Sequence, residues 1–173
     1  MASILNVDQI NNAAGTSAIS IDSSGNTLIP GHVVQVVQGT LGQATVLSST
    51  SFVDTGLTAT ITPSSTTSKI LVITQHVWSH YQTGNVPVTF YLTLLRGSTS
   101  IGSKEASQGG AASSTNYFYG MLDGTMKVLD SPATTSAVTY KTQVKASSTA
   151  NNMDMIVSGG GGLSTITLME IAQ

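Results

Sequence analysis

A few short patterns in the chain carry residue types that do chemistry elsewhere. Phe52-Val53-Asp54-Thr55-Gly56 matches the hydrophobic, hydrophobic, Asp-Thr-Gly signature of aspartic proteases. That chemistry needs two Asp carboxyls sharing one proton, and the chain holds one copy, so only a twofold dimer supplies the second. Leu57 stands where Ala usually follows, and no suitable flap hairpin comes after it. Asp and Gly are also what a turn between short strands requires on backbone grounds, and that is the reading adopted. His76 and His80 are four apart, a zinc-like pair on a helix, yet the segment has strand character and neither Glu nor Cys lies between them. The plainer expectation is one imidazole hydrogen-bonded inside a sheet and one in a loop, so no metal is assigned. Ser158-Gly159-Gly160-Gly161-Gly162-Leu163 is glycine-rich, but no Lys-Ser/Thr follows and no helix begins there, so it is expected to connect strands rather than cradle phosphate. No Ser/His/Asp set stands out among so many serines. Asp123, Asp130, Asp154 and Glu170 are scattered, and nothing selects two as a glycosidase pair at about 5–10 Å.

Two aromatic groups remain. Trp78, His80, Tyr81 and Asn85 flank a predicted turn at 79–87 and have the equipment to stack on sugar rings and bond their hydroxyls. Trp78, the only tryptophan, is also the natural core anchor, which is the preferred reading for that residue. Tyr117-Phe118-Tyr119 places the two tyrosines on one face of a strand and Phe118 on the other, one face core and the other subunit contact. The small-residue stretch 107–116 is a long loop, either a contact surface or a mobile connection.

The elements that must position these residues follow from composition and periodicity. The 173 residues suit one ordinary domain plus a short appendage. Only 8% are charged, against about 25% in typical soluble proteins, while 40% are hydrophobic and 5% aromatic. Ser and Thr exceed a quarter of the chain. A net charge of −2 offers no field for phosphate backbones, so nucleic acid is not an expected partner. Zero Cys removes disulfides, thiolate catalysis and Cys-ligated metals. Disorder is not expected at this hydrophobicity and low net charge. No basic, apolar leader opens the sequence, and no window approaches roughly 18 uninterrupted apolar residues, so neither export nor membrane insertion is expected.

Residues 1–31 form an expected segment of their own. Val7, Ile10 and Ala14 recur at helical spacing, predicting one or two turns of helix over 7–14. Residues 18–22 alternate as a strand, 23–26 are a turn by composition, and 27–29 resume extended chain up to Pro30-Gly31. So short a unit cannot bury Leu5, Val7, Ile10, Ile19, Ile21, Leu28 and Ile29 against itself. Those residues need neighbours, from the main domain or from other copies. From 32 to 173 the spacing predicts strands at 32–39, 45–47, 56–62, 69–78, 86–95, 99–104, 116–122, 137–146, 152–158 and 164–171, with turn clusters between. Ile166, Leu168 and Glu170 share one face of the last strand. No long helical pattern intervenes, so the fold class is all-β: an antiparallel jelly-roll sandwich head preceded by a short N-terminal segment.

The segment ILNVDQINNAAGTSAISIDSSGNTLIPGHVVQVVQGT resembles the N-terminal pieces of short bacteriophage fibre proteins, in which a small trimer-forming segment precedes a globular head. TSFVDTGLTATITPSSTTSKILVITQHVW, the strand ending LLRGSTSIG, SPATTSAVTYKTQV and the terminal ITLMEIAQ are similar to phage tail and head fibre heads, themselves similar to the jelly rolls of complement and tumour-necrosis-factor trimers. The resemblance covers nearly the whole chain, in strand and turn patterns rather than a catalytic signature. It implies a non-enzymatic homotrimer on a virion, without cofactor, attached to other virion proteins through Leu5, Val7, Ile10, Ile19, Ile21, Leu28 and Ile29. Trp78, His80, Tyr81 and Asn85 become candidate contacts to a host-surface glycan or protein. In a trimer, three symmetry-related histidines could also share an axial ion. The resemblance places the final strand at the core, and the charge-poor terminus Leu168-Met169-Glu170-Ile171-Ala172 fits burial, since chain ends otherwise tend to be polar. The nearest rival is a capsid decoration or cement protein, which the short chain would suit. A carbohydrate-active tailspike-like enzyme would usually be much longer, and a signalling ligand would be expected to carry a leader and disulfides.

Overall fold

The computed structural model describes residues 7–21, 25, 27–43, 45–83, 88–107, 117–149, 154–158 and 162–173. Among them there is no helix; every regular element is a strand paired antiparallel. The chain opens with a small sheet in the order β1 (Gln9–Asn11), β2 (Ser17–Ile21), β3 (Thr27–Leu28). The helical turn expected over 7–14 is a strand and a hairpin instead. Asn12 is the cause: its Oδ1 accepts from Ala14 N (2.9 Å) and Thr16 N (3.0 Å), and Gly15 takes the left-handed φ of 80° that closes the turn.

The head is a sandwich of eight strands. One sheet runs β10 (Thr99–Ser107), β9 (Thr89–Arg96), β13 (Val138–Ala146), β6 (Val53–Ile61). The other runs β12 (Met126–Asp130), β7 (Lys69–Gln75), β15 (Ser164–Ile171), β4 (Val33–Leu41). Apart from the β9–β10 hairpin, successive head strands cross between the two sheets, and the last strand returns beside the first, which is jelly-roll connectivity. Strict alternation drives it: Leu57, Ala59 and Ile61 from β6 meet Ile70 and Val72 from β7, Phe90, Leu92 and Leu94 from β9, and Ile166 and Leu168 from β15 in one core. The expected strand at 164–171 is found with those bounds, and Ile166, Leu168 and Glu170 do share its buried face.

The second sheet continues beyond a waist as β11 (Tyr117–Asp123), β8 (Val77–Thr83), β14 (Asp154–Val157), β5 (Thr45–Leu47). Each of its four long strands is interrupted there. His76 breaks the strand expected over 69–78, and its backbone pairs reciprocally with Gly124 (3.3 and 3.1 Å). Ser158 Oγ donates to Leu41 O (2.7 Å) and pairs with Ser164 Oγ (2.9 Å), which in turn accepts from Val77 N (3.1 Å). Side-chain hydroxyls therefore replace the ladder bonds lost at the break. The glycine-rich run lies at this waist, joining two strands that run in the same direction; residues 159–161 lie outside the described residues.

Two further corrections concern strands. The Asp54-Thr55-Gly56 motif is not a turn; it lies inside β6, where Gly56 adopts a φ of 88° opposite a register shift between Lys141 and Gln143 of β13. β12 is an additional strand with no counterpart among those expected from the sequence.

Candidate functional site

Among the described residues the chemistry-bearing side chains do not converge. Asp54 ion-pairs with Lys141 Nζ (2.9 Å) and accepts from Gln143 Nε2 (2.8 Å) on the exposed side of β6. The Lys141 and Gln143 hydrogen bonds hold its carboxyl below the usual range. A protease Asp must instead share a proton with a second carboxyl. Thr55 turns the other way, fully buried, with its Oγ1 2.6 Å from Thr142 Oγ1. This motif ties two strands together.

His76 is buried in the core, its ring 6.1 Å from that of Trp78, and burial pushes its pKa down to about 4, so the imidazole is neutral in the fold. Among the described residues, Thr74 Oγ1, both His76 nitrogens and Trp78 Nε1 have no hydrogen-bond partner. A side chain enclosed within its own protomer cannot reach an axial ion. Among the described residues no three His, Asp or Glu side chains gather as a metal set. Trp78 is 2% exposed and packs against Phe90 at 6.2 Å between ring centroids, so it cannot stack on an exterior sugar; its place among the candidate host contacts is corrected to core anchor. Asn85, the side chains of His80 and Tyr81, and those of Tyr117, Phe118 and Tyr119 lie outside the described residues.

The acids expected to be scattered are structural where described. Asp130 receives both Arg96 Nη1 (2.9 Å) and Tyr140 OH (2.7 Å), joining β12 of one sheet to β9 and β13 of the other. Burial, then the Asp130 hydrogen bond, pushes the Tyr140 phenol up. Glu170 is fully buried without an opposite charge. It accepts from Ser64 N (2.8 Å), Ser64 Oγ (2.6 Å) and Gln35 Nε2 (2.6 Å). Burial raises its pKa, but these bonds and one from Ser68 together outweigh it, and the carboxyl stays below the usual value.

Two surfaces have the character of binding sites. The first is the small N-terminal sheet, where Ile10 is 44% exposed, Ile29 is also exposed, and Val7, Ile19 and Ile21 are half-buried. Leu5 and the side chain of Leu28 lie outside the described residues. The sheet is tied to the head where Gly31 N donates to Ala172 O (2.8 Å) and Ala172 N to His32 O (3.0 Å). The second surface is the outer face of the β12-β7-β15-β4 sheet. Leu129, Leu71, Met169 and Val36 stand in one cross-strand row. Leu129 and Val36 are each 56% exposed; Ile73 stands in the next row with Lys127, Thr167 and Gln38, and Ile171 and Val33 stand beside Lys69. Sequence reasoning did not single out this face. Its signal was present in the uninterrupted run Ile70–Ile73, because a strand with one solvated face alternates and one covered on both faces does not.

No family model and no curated protein matches the chain. Among solved structures it is similar to the VP2 subviral particle of infectious bursal disease virus, at 9% identity and a TM-score of 0.35, over 98% of this chain and 43% of that one. The structure of the Gt strain of that virus gives 12% identity and a TM-score of 0.36, over 96% and 43%. The chain thus spans less than half the length of these viral chains. At that identity and TM-score, the likeness adds nothing to the all-β sandwich described above.

Proposed function

We propose that the chain is a non-enzymatic structural protein of a bacteriophage virion, a short homotrimeric fibre or spike. Its N-terminal sheet binds other virion proteins, and its head faces the host surface. The observation that carries this reading is the apolar outer face of the β12-β7-β15-β4 sheet, lying on a molecule that also exposes Ile10 and Ile29. An antiparallel sheet with one face on its core normally presents polar side chains on the other. An exposed apolar row across four strands marks an interface, and copies of one chain covering one another is the commonest way to bury it. Threefold order comes from the fibre resemblance, and the apolar residues of β1–β3 fit an attachment surface.

Deleting residues 1–31 is expected to leave a folded β head that is no longer incorporated into particles. Circular dichroism of the truncated chain and its abundance in purified virions check this. Incorporation at the full-length level would refute the attachment role.

A further inference from the structure

The outer side of the β10-β9-β13-β6 sheet holds a groove of about 510 Å3 that no sequence motif marks. Cross-strand register builds it: Glu105, Tyr91 and Lys145 stand in one row, and Ser103, Thr93 and Gln143 in the next. Phe52, at the start of β6, closes the end beside Lys145. Lys145 Nζ lies 4.9 Å from the centre of the Phe52 ring and 5.0 Å from that of Tyr91, held between two aromatic groups. Among the described residues no carboxylate pairs with it. The other outward lysine of this strand, Lys141, is already engaged by Asp54. Glu105, across Tyr91 from Lys145, is the one carboxylate among the lining residues.

We propose that this groove binds an acidic saccharide, with the carboxylate of a uronic-acid residue on Lys145 and pyranose faces against Tyr91 and Phe52. Aromatic faces take the apolar side of a sugar ring, while Ser103 and Gln143 offer hydrogen bonds to its hydroxyls. The volume lies within the range of small-ligand sites. One ammonium set between two aromatic rings suits one carboxylate, whereas a nucleic-acid strand needs a run of cations that this groove lacks. The site deepens the host-contact part of the proposed function and replaces Trp78 as the place where a sugar is met.

Titration calorimetry of the full chain with trigalacturonate, and with maltotriose as the neutral probe, tests it. Trigalacturonate is expected to bind at least about tenfold more tightly than maltotriose and to weaken as salt rises. Lys145→Met and Tyr91→Ala should each lower that affinity about tenfold or more, and Lys127→Met on the opposite sheet should leave it unchanged. Should Lys145→Met melt early, Lys145→Gln carries the test. No binding of trigalacturonate at millimolar concentration, equal binding of maltotriose, or full affinity in the folded Lys145 variant would each overturn the proposal. A trimer that fails to bind overturns the groove alone; a chain that binds the sugar but does not assemble overturns the fibre reading alone.

Discussion

Replacing Glu170 by Ala is expected to lower the unfolding free energy by roughly 1–3 kcal/mol, as when buried donors lose their acceptor. The carboxylate fastens the end of β15 to the turn between β6 and β7, and through Gln35 to β4. Gln35 Nε2 also donates to Thr62 O (2.7 Å), so its amide sits at a junction of three segments. Ser64 N and Gln35 Nε2 can only donate, so removal leaves Ser64 N without its acceptor and Gln35 Nε2 with Thr62 O alone. Glu170→Gln should recover little, because it turns an amide donor towards other donors. The sign with pH follows from the depressed pKa. The unfolded chain takes up a proton near the ordinary value of 4.5 and the folded one only below it, so this stabilisation is present at neutral pH and lost as pH falls through the folded value. Urea unfolding of the wild type and both variants at neutral pH checks the size, and a loss below about 1 kcal/mol in Glu170→Ala would contradict it.

Gly39→Ala is expected to cost roughly 2–4 kcal/mol through a steric clash at the seam of the sandwich. Gly39 lies on β4 where that strand crosses β6. A Cβ there would stand 2.0 Å from the Thr58 carbonyl oxygen and 3.1 Å from Ile166 Cγ2. The carbonyl is main chain and cannot swing aside, so β4 or β6 must shift, and with it the packing of Leu57 and Ile166. Gly42→Ala is the matched control. Its Cβ would meet Leu163 Cδ1 at 3.6 Å, an ordinary contact, and its stability should stay within about 0.5 kcal/mol of wild type. Comparable melting temperatures for the two variants would show that the seam is looser than described.

The strands of the head were legible because most alternate, and alternation is a local signal. Leu57, Ala59 and Ile61 on β6 and Ile166, Leu168 and Glu170 on β15 took the face their spacing predicts. In two places where the reading erred, a single residue had redirected the backbone. Asn12 turned a helical spacing into a hairpin, and Gly56 put a bulge where a turn was expected. β12 escaped notice because Lys127-Val128-Leu129 exposes an apolar residue, Leu129, on the outward side, which only an interface would explain. Trp78 was legible as a core anchor and was misplaced only as a sugar contact. The groove was out of reach of sequence reasoning, since Phe52, Tyr91 and Lys145 lie far apart in the chain and meet through cross-strand register alone.

The central claim is that the apolar sheet face is covered by copies of the same chain. The mass of the purified full-length protein, measured by sedimentation equilibrium at micromolar concentration, tests it most directly. Three copies in one stable particle is the predicted result. A monomer that stays dispersed, with the Leu129, Leu71, Met169 and Val36 row open to solvent, would contradict it.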